Sequence, residues 1–373
     1  MRIIILISCV LSAIMGMLLG VMPSLPTLDV VAISTTTPAF QYSEIWHVTE
    51  ATQSNNLVQL SLVQWNPKNN QIAVVNSGDA TVKILNSDTG HLQYTLKSLS
   101  ANSNTGNFIY KLSWSPDGRF LAIAFHGDVI EVWDLSLPQK SKPLTVEYQA
   151  LNYSISWAAD SRRLSIVKST DGGVKGIIRE TLIWDVIDNR ELAHLKGDTD
   201  TVINVLWSPD GEKLVGMTSY GIAQIWDGHT YEPAINFPKI PADFLLGTDV
   251  VVWNPNGEEV IGVGCNVALG GCELWKWDIL TGQLQIPFKD KDSTGRPNLD
   301  RPTSLTWRPN DSSVLYVAFN PAQTGTYAQL WGTNTGQLLA TIDHILSIDW
   351  SPDGKSFTTI NDDRSVSVWK ISS

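Results

Sequence analysis

Residues 114–134 read Trp114-Ser115-Pro116-Asp117-Gly118-Arg119-Phe120-Leu121-Ala122-Ile123-Ala124-Phe125-His126-Gly127-Asp128-Val129-Ile130-Glu131-Val132-Trp133-Asp134. The first five residues spell a tight turn. Pro presets φ at the first corner, Asp bonds nearby backbone, and Gly takes positive φ without a Cβ clash. The run from Phe120 to Phe125 is continuously apolar over a length suited to a strand buried on both faces. A Gly-Asp turn follows, then a second signal, Val132-Trp133-Asp134. Turn, strand, turn, strand is antiparallel grammar.

Outward from this stretch both signals recur. The first returns at Trp65-Asn66-Pro67, Trp157-Ala158-Ala159-Asp160, Trp207-Ser208-Pro209-Asp210-Gly211, Trp253-Asn254-Pro255-Asn256-Gly257, Trp307-Arg308-Pro309-Asn310 and Trp350-Ser351-Pro352-Asp353-Gly354, at spacings of 43 to 54 residues. The second follows about twenty residues later as Ile183-Trp184-Asp185, Ile225-Trp226-Asp227, Trp277-Asp278, Leu330-Trp331-Gly332 and Val368-Trp369-Lys370. In the first repeat Leu85 stands where Trp is expected. Thirteen of the 15 Trp residues belong to one signal or the other, so Trp marks contacts made once per repeat; Trp46 and Trp275 are left over. After the second signal come a turn and a half-exposed alternating run, as in Thr335-Gly336-Gln337-Leu338-Leu339-Ala340-Thr341-Ile342. Each unit reads as a four-stranded antiparallel meander with a wetter outer strand, and a period in the forties repeated seven times implies radial repetition.

These residues resemble the WD-repeat β-propeller family over about residues 41–373. The resemblance implies an all-β fold: a seven-bladed β-propeller of four-stranded antiparallel blades around a central channel. The Gly-His pair that opens many family repeats is largely missing here, Gly197-Asp198 standing in its place in one repeat, and Gly332 and Lys370 replace the Asp of Asp134, Asp185, Asp227 and Asp278. The family's internal His-to-Asp hydrogen-bond network is therefore expected to be incomplete. Residues 366–371 make the third strand of the seventh blade, which then needs an outer strand from elsewhere. The segment Tyr42-Ser43-Glu44-Ile45-Trp46-His47-Val48-Thr49 alternates Tyr42, Glu44 and Trp46 against Ile45 and His47. It is expected to pair beside residues 366–371, so that an N-terminal strand closes the last blade.

The first 32 residues read differently. Ile3 through Met22 carry no charge, with Arg2 before them. The run is longer than the ~7–15 residues of a signal-peptide core and near the ~20 of a bilayer span, so residues 1–32 fit a signal peptide or an N-terminal transmembrane anchor. Val30-Val31-Ala32 offers a small-residue cleavage site; Leu6-Ile7-Ser8-Cys9 resembles a lipoprotein box, but too few residues precede the Cys. The Thr- and Pro-rich residues 33–40 read as a linker. Arg2 favours a cytoplasmic N-terminus, which makes the rest extracytoplasmic, secreted or membrane-anchored by residues 3–22.

In an exported domain two cysteines at the ends of a hairpin are expected to pair. Cys265 and Cys272 flank such a hairpin, between strands read at 260–264 and 273–277, and facing positions there bring Cα atoms within reach of a disulfide. Lys and Arg number 26 against 37 Asp and Glu, a net charge of −11, which argues against nucleic acid as a partner. None of the six His residues is paired at metal spacing, and Asp117, Asp210 and Asp353 are explained by their turns, so no metal is assigned. No zinc, nucleophile-elbow, phosphate-loop or dinucleotide pattern occurs, and neither a cofactor nor a catalytic residue is assigned. The resemblance implies a non-catalytic scaffold for protein partners, exported or tethered to the outer side of the membrane. Contacts would come from hairpin turns and inter-blade loops on the face opposite the Trp-Ser-Pro-Asp-Gly turns. Asn76, His126, Tyr220, Phe319, Tyr327 and Arg364 are the interaction-face candidates, aromatic and Arg side chains being common binding hot spots. The alternative is a propeller that binds or hydrolyses a small molecule at the channel mouth.

Overall fold

The local turn is built as its residues require. Ser115 Oγ donates to Asp117 Oδ1 (2.5 Å) and accepts from Phe120 N (2.8 Å), while Gly118 sits at φ +73°. Ser208–Asp210–Gly211 and Ser351–Asp353–Gly354 repeat the arrangement. In the first repeat Asn66 Oδ1 does the same work, accepting from Lys68 N and Asn69 N. Each turn hands an inner strand to a second strand.

The computed structural model describes residues 42–48, 60–76, 79–97, 109–125, 127–136, 144–150, 154–171, 177–195, 202–218, 221–235, 244–266, 272–285, 302–319 and 326–371. The expected leader or anchor and linker, as well as His126 and Tyr220, lie outside them. All the elements are strands, and they form seven four-stranded antiparallel sheets. Blade 1 runs from an inner strand Leu60–Trp65 through Gln71–Asn76 and Thr81–Asn86 to an outer strand Leu92–Lys97. Blades 2 to 6 occupy residues 109–150, 154–194, 204–235, 244–285 and 302–343. The inner strands of successive blades touch around the ring, and that of blade 7, Ile345–Trp350, returns to Leu60–Trp65.

Packing explains why the repeat spends its Trp residues as it does. Among the described residues the buried apolar side chains fall into seven clusters, one between each pair of neighbouring blades. In each cluster the two signal residues of one blade lie against the preceding blade. Trp114 and Trp133 pack on Ala73, Val75 and Ile84 of blade 1, and Trp207 and Trp226 pack on Val167 and Ile183 of blade 3. Trp275 shares the face of Trp277, two residues on, and adds another indole to the blade 4–5 cluster. Because the apolar area is shared between blades, a single blade would expose it.

The last blade is closed by the N-terminal strand Tyr42–Val48, antiparallel to Val366–Ile371. The expected alternation fails within it. A bulge between Glu44 and Trp46 places one extra residue, Ile45, in the strand; Ile45 is exposed, and the side chains after it are turned over. Tyr42 thus packs edge-on to Phe357 and Trp369 in the blade 6–7 cluster, whereas Trp46 joins the blade 7–1 cluster. Trp46 Nε1 donates to Ser87 O of blade 1 at 2.7 Å. One leftover Trp therefore supplies an indole to the interface where Leu85 has replaced the Trp of the second signal.

Candidate functional site

Along each inner strand the residue two before the first-signal Trp is apolar and buried between blades, as in Val63, Leu112 and Ile348. The positions one and three before the Trp share the opposite side, and many of them line a central channel of about 390 Å³. The tier one before the Trp holds Gln64, Ser113, Ser156, Leu206, Val252, Thr306 and Asp349. Some of these side chains bridge to the next blade: Gln64 Oε1 accepts from Trp114 N (3.1 Å), Ser156 Oγ from Trp207 N (3.1 Å) and Asp349 Oδ2 from Trp65 N (2.6 Å). Indole N–H groups add bonds to the preceding blade, from Trp114 to Gln64 O, Trp157 to Ser113 O and Trp253 to Leu206 O. The tier three before the Trp includes Leu62, Lys111, Ser304 and Ser347 on the channel wall.

Lys111 and Asp349 are the charged side chains lining this channel. Burial pushes the Asp349 carboxyl up to about 7, against the N–H groups of Trp65 and Trp350 that favour its ionised form. The Ser304 hydroxyl is buried with no hydrogen-bond partner. These residues were not candidates from sequence; the signal that would have found them is the tier position relative to each Trp, which acquires meaning only once the strands surround a common axis.

On the face opposite the tight turns the described candidates differ in exposure. Arg364 is exposed in the turn between the second and third strands of blade 7, at φ +66°. Tyr327 is half-buried and stacks on Phe319 with ring centroids 4.9 Å apart. Phe319 is fully buried in the blade 5–6 cluster and cannot present its ring to a partner. Asn76 is also buried, at 5% exposure. Both end their blade's second strand, the most enclosed of the four, so proximity to a turn does not bring exposure. Phe319 and Tyr327 are brought together; Asn76 and Arg364 sit in other blades.

At the seam of blades 6 and 7 lies a groove of about 610 Å³ lined in part by Glu44, His47, Asp343, His344, Asp362 and Asp363. His47 Nδ1 lies 2.9 Å from Ser367 Oγ and 3.3 Å from Glu44 Oε1, and His344 Nδ1 lies 2.6 Å from Asp362 Oδ2. The bond to the Asp362 carboxylate raises the His344 pKa. His344 reads from sequence as an ordinary surface residue, since its acidic neighbour is eighteen positions away. At the blade 5 hairpin, Cys265 and Cys272 are direct register partners with Sγ atoms 2.01 Å apart. Among the described residues no group of three or more His, Cys, Asp or Glu side chains is arranged to hold a metal ion, and no helix is long and apolar enough to cross a membrane.

Comparison with known proteins matches residues 93–134 and 336–370 to the family WD domain, G-beta repeat. The chain is 22% identical over 316 residues to "Cell division cycle 20.1, cofactor of APC complex" of Arabidopsis thaliana, covering 84% of this chain and 63% of that protein. It is 22% identical over 315 residues to "Anaphase-promoting complex subunit cdc20" of Dictyostelium discoideum, covering 84% of this chain and 57% of the relative. The chain thus spans less than two thirds of the length of these relatives. A solved structure, "Crystal Structure of Mitotic Checkpoint Complex", contains a chain with the same fold at TM-score 0.64 and 18% identity, covering 96% of this chain and 99% of that one. The first match, residues 93–134, takes in the stretch from Trp114 to Asp134, and the same two signals recur through seven closed blades: the chain is a seven-bladed β-propeller that matches the WD domain, G-beta repeat family over residues 93–134 and 336–370.

Proposed function

We propose that this propeller is a non-catalytic scaffold that binds protein partners, exported or tethered to the outer side of a membrane by residues 3–22. The observation that carries the reading is the division of labour in the ring. Apolar and indole groups are spent between blades, which leaves turns and loops as the surface free to vary on a rigid support. Relatives named as a cofactor and a subunit of a protein complex support a partner-binding role. Residues 3–22 and the cysteine pair support the compartment. Affinity capture with cross-linking from membranes tests both parts. The expected result is a discrete protein partner cross-linked through the face that carries Arg364 and weakened by Arg364→Ala. Cross-links confined to the Trp-Ser-Pro-Asp-Gly face, or recovery of the chain in the soluble cytosolic fraction, would overturn the corresponding part.

A further inference from the structure

The tight turn of blade 6 is one residue longer than its counterparts. In blades 2, 3, 4, 5 and 7 the third residue after the first-signal Trp is Asp117, Asp160, Asp210, Asn256 or Asp353, and each spends its Oδ1 on the backbone N–H two residues further on. Blade 6 holds Asn310 at this place, but its turn closes between Arg308 N and Val314 O, where that of blade 2 closes between Ser115 N and Phe120 O. The added residue passes the capping role to Asp311, whose Oδ1 accepts from Ser313 N (2.9 Å) and from Ser313 Oγ. Asn310 is left exposed at φ +60°, and among the described residues its side-chain amide has no hydrogen-bond partner. Two residues on, Ser312 accepts from Thr333 Oγ1 (2.6 Å) through its carbonyl, while its hydroxyl has no partner among the described residues. Asn310-Asp311-Ser312 is the Asn-x-Ser pattern of N-linked sugar attachment. The pattern recurs at Asn152-Tyr153-Ser154, but Ser154 is only 4% exposed, and its Oγ donates to Asn204 Oδ1 and accepts from Val205 N (3.3 Å).

We propose that Asn310 is the attachment site of an N-linked glycan on the tight-turn face, and that folding withholds Asn152-Tyr153-Ser154 from the same chemistry. In the step, Asn310 Nδ2 bonds to C1 of the sugar and the bond from C1 to the phosphate oxygen of a lipid-diphosphate-linked donor breaks. The amide gives up one proton, which ends on the released diphosphate. A transferase of this class reads the hydroxyl two residues past the Asn. Ser312 offers that hydroxyl at the surface, whereas Ser154 has already committed its own in the interior. A sugar on Asn310 breaks no hydrogen bond of the turn, because Asp311 does the capping. The inference rests on the exported reading of the chain, since donors of this class are consumed at the outer side of a membrane. It also deepens that reading: a bulky solvated group on blade 6 keeps the tight-turn face wet and leaves docking to the face that carries Arg364.

The test is intact-mass measurement and peptide mapping of the full chain purified from the membranes of its own cells, with fragmentation that keeps a sugar on its residue. The expected result is a sugar mass increment on Asn310 and none on Asn152. Asn310→Gln and Ser312→Ala are each expected to bring the intact mass down to that of the bare polypeptide, with the circular dichroism spectrum unchanged. Ser312→Ala separates transfer directed by the Asn-x-Ser pattern from other chemistry at an exposed amide, because it keeps Asn310. A bare Asn310 would overturn the inference, as would a sugar that survives Ser312→Ala or equal occupancy of Asn152. Bare Asn310 on chain recovered from the membrane removes this inference alone, whereas bare Asn310 on chain recovered from the cytosol removes the exported reading with it.

Discussion

Closure of the ring by residues 42–48 can be tested through Gly90, in the turn before the outer strand of blade 1. Gly90 holds φ +72°, and a Cβ built there would stand 2.9 Å from Trp46 Cε3 and 3.0 Å from Val48 Cγ2. Gly90→Ala therefore carries two separable costs. The left-handed backbone costs about 1–2 kcal/mol with any β-carbon, and the collision with the closing strand adds about 1–3 kcal/mol. Trp46→Ala alone loses the bond to Ser87 O and part of the indole's contact with the blade 7–1 cluster, about 2–3 kcal/mol together. Combined, the two changes should cost less than their sum by about 1–2 kcal/mol, because removing the indole relieves most of the collision but none of the backbone strain. Urea unfolding of the four proteins, followed by circular dichroism, measures the cycle. Strict additivity would refute the reasoning: Trp46 would then not lie on Gly90, and the N-terminal strand would not close blade 7 against blade 1.

Other outcomes follow from the same geometry. Asp349 titrates near 7 in the fold against an ordinary 3.8, so its contribution is fully present below pH 4 and is lost as the pH rises through 7. The upper bound is about 4 kcal/mol, and the channel's access to solvent reduces it to about 1–2 kcal/mol. Asp349→Asn keeps an acceptor for Trp65 N–H and should match the parent at pH 4 yet melt higher at pH 8; parallel melting-temperature curves across that range would contradict this. Arg163 donates to Gly228 O at 2.6 Å and stacks 4.7 Å over Trp207, clamping blade 3 to blade 4, so Arg163→Ala should cost about 1–3 kcal/mol in urea unfolding, with Lys a poor substitute. Intact mass with alkylation, before and after reduction, should add label to Cys265 and Cys272 only after reduction. Label on either in the non-reduced protein would remove the bridge.

Phe319 shows where sequence reading stops. It ends an apolar run beside a turn, and such a position is equally compatible with a surface contact or with the 0% exposure it has. The difference lies in the neighbouring blade, whose Val263 and Cys272 share its cluster and are more than forty residues away in sequence. Ile45 makes the same point locally, since the one-residue bulge beside it sends Tyr42 and Trp46 to different interfaces and no alternation of residue types announces it. The Trp-Ser-Pro-Asp-Gly turns need no such help. Their backbone conformation is dictated by the residues inside them, which is why the blades and their number could be read directly.

What sequence alone determined about this protein is therefore whatever depends on contacts within a repeat: the turns, the strand order, the seven-fold count and the register of Cys265 with Cys272. What the tertiary structure decided is whatever depends on one repeat meeting another: the seven shared cores, the burial of Asn76 and Phe319, the pairing of His344 with Asp362, and the placing of Lys111 and Asp349 on the lining of one central channel. The physical reason is range. Turn chemistry acts over four or five residues, whereas the environment of a side chain is set by atoms that only ring closure brings beside it.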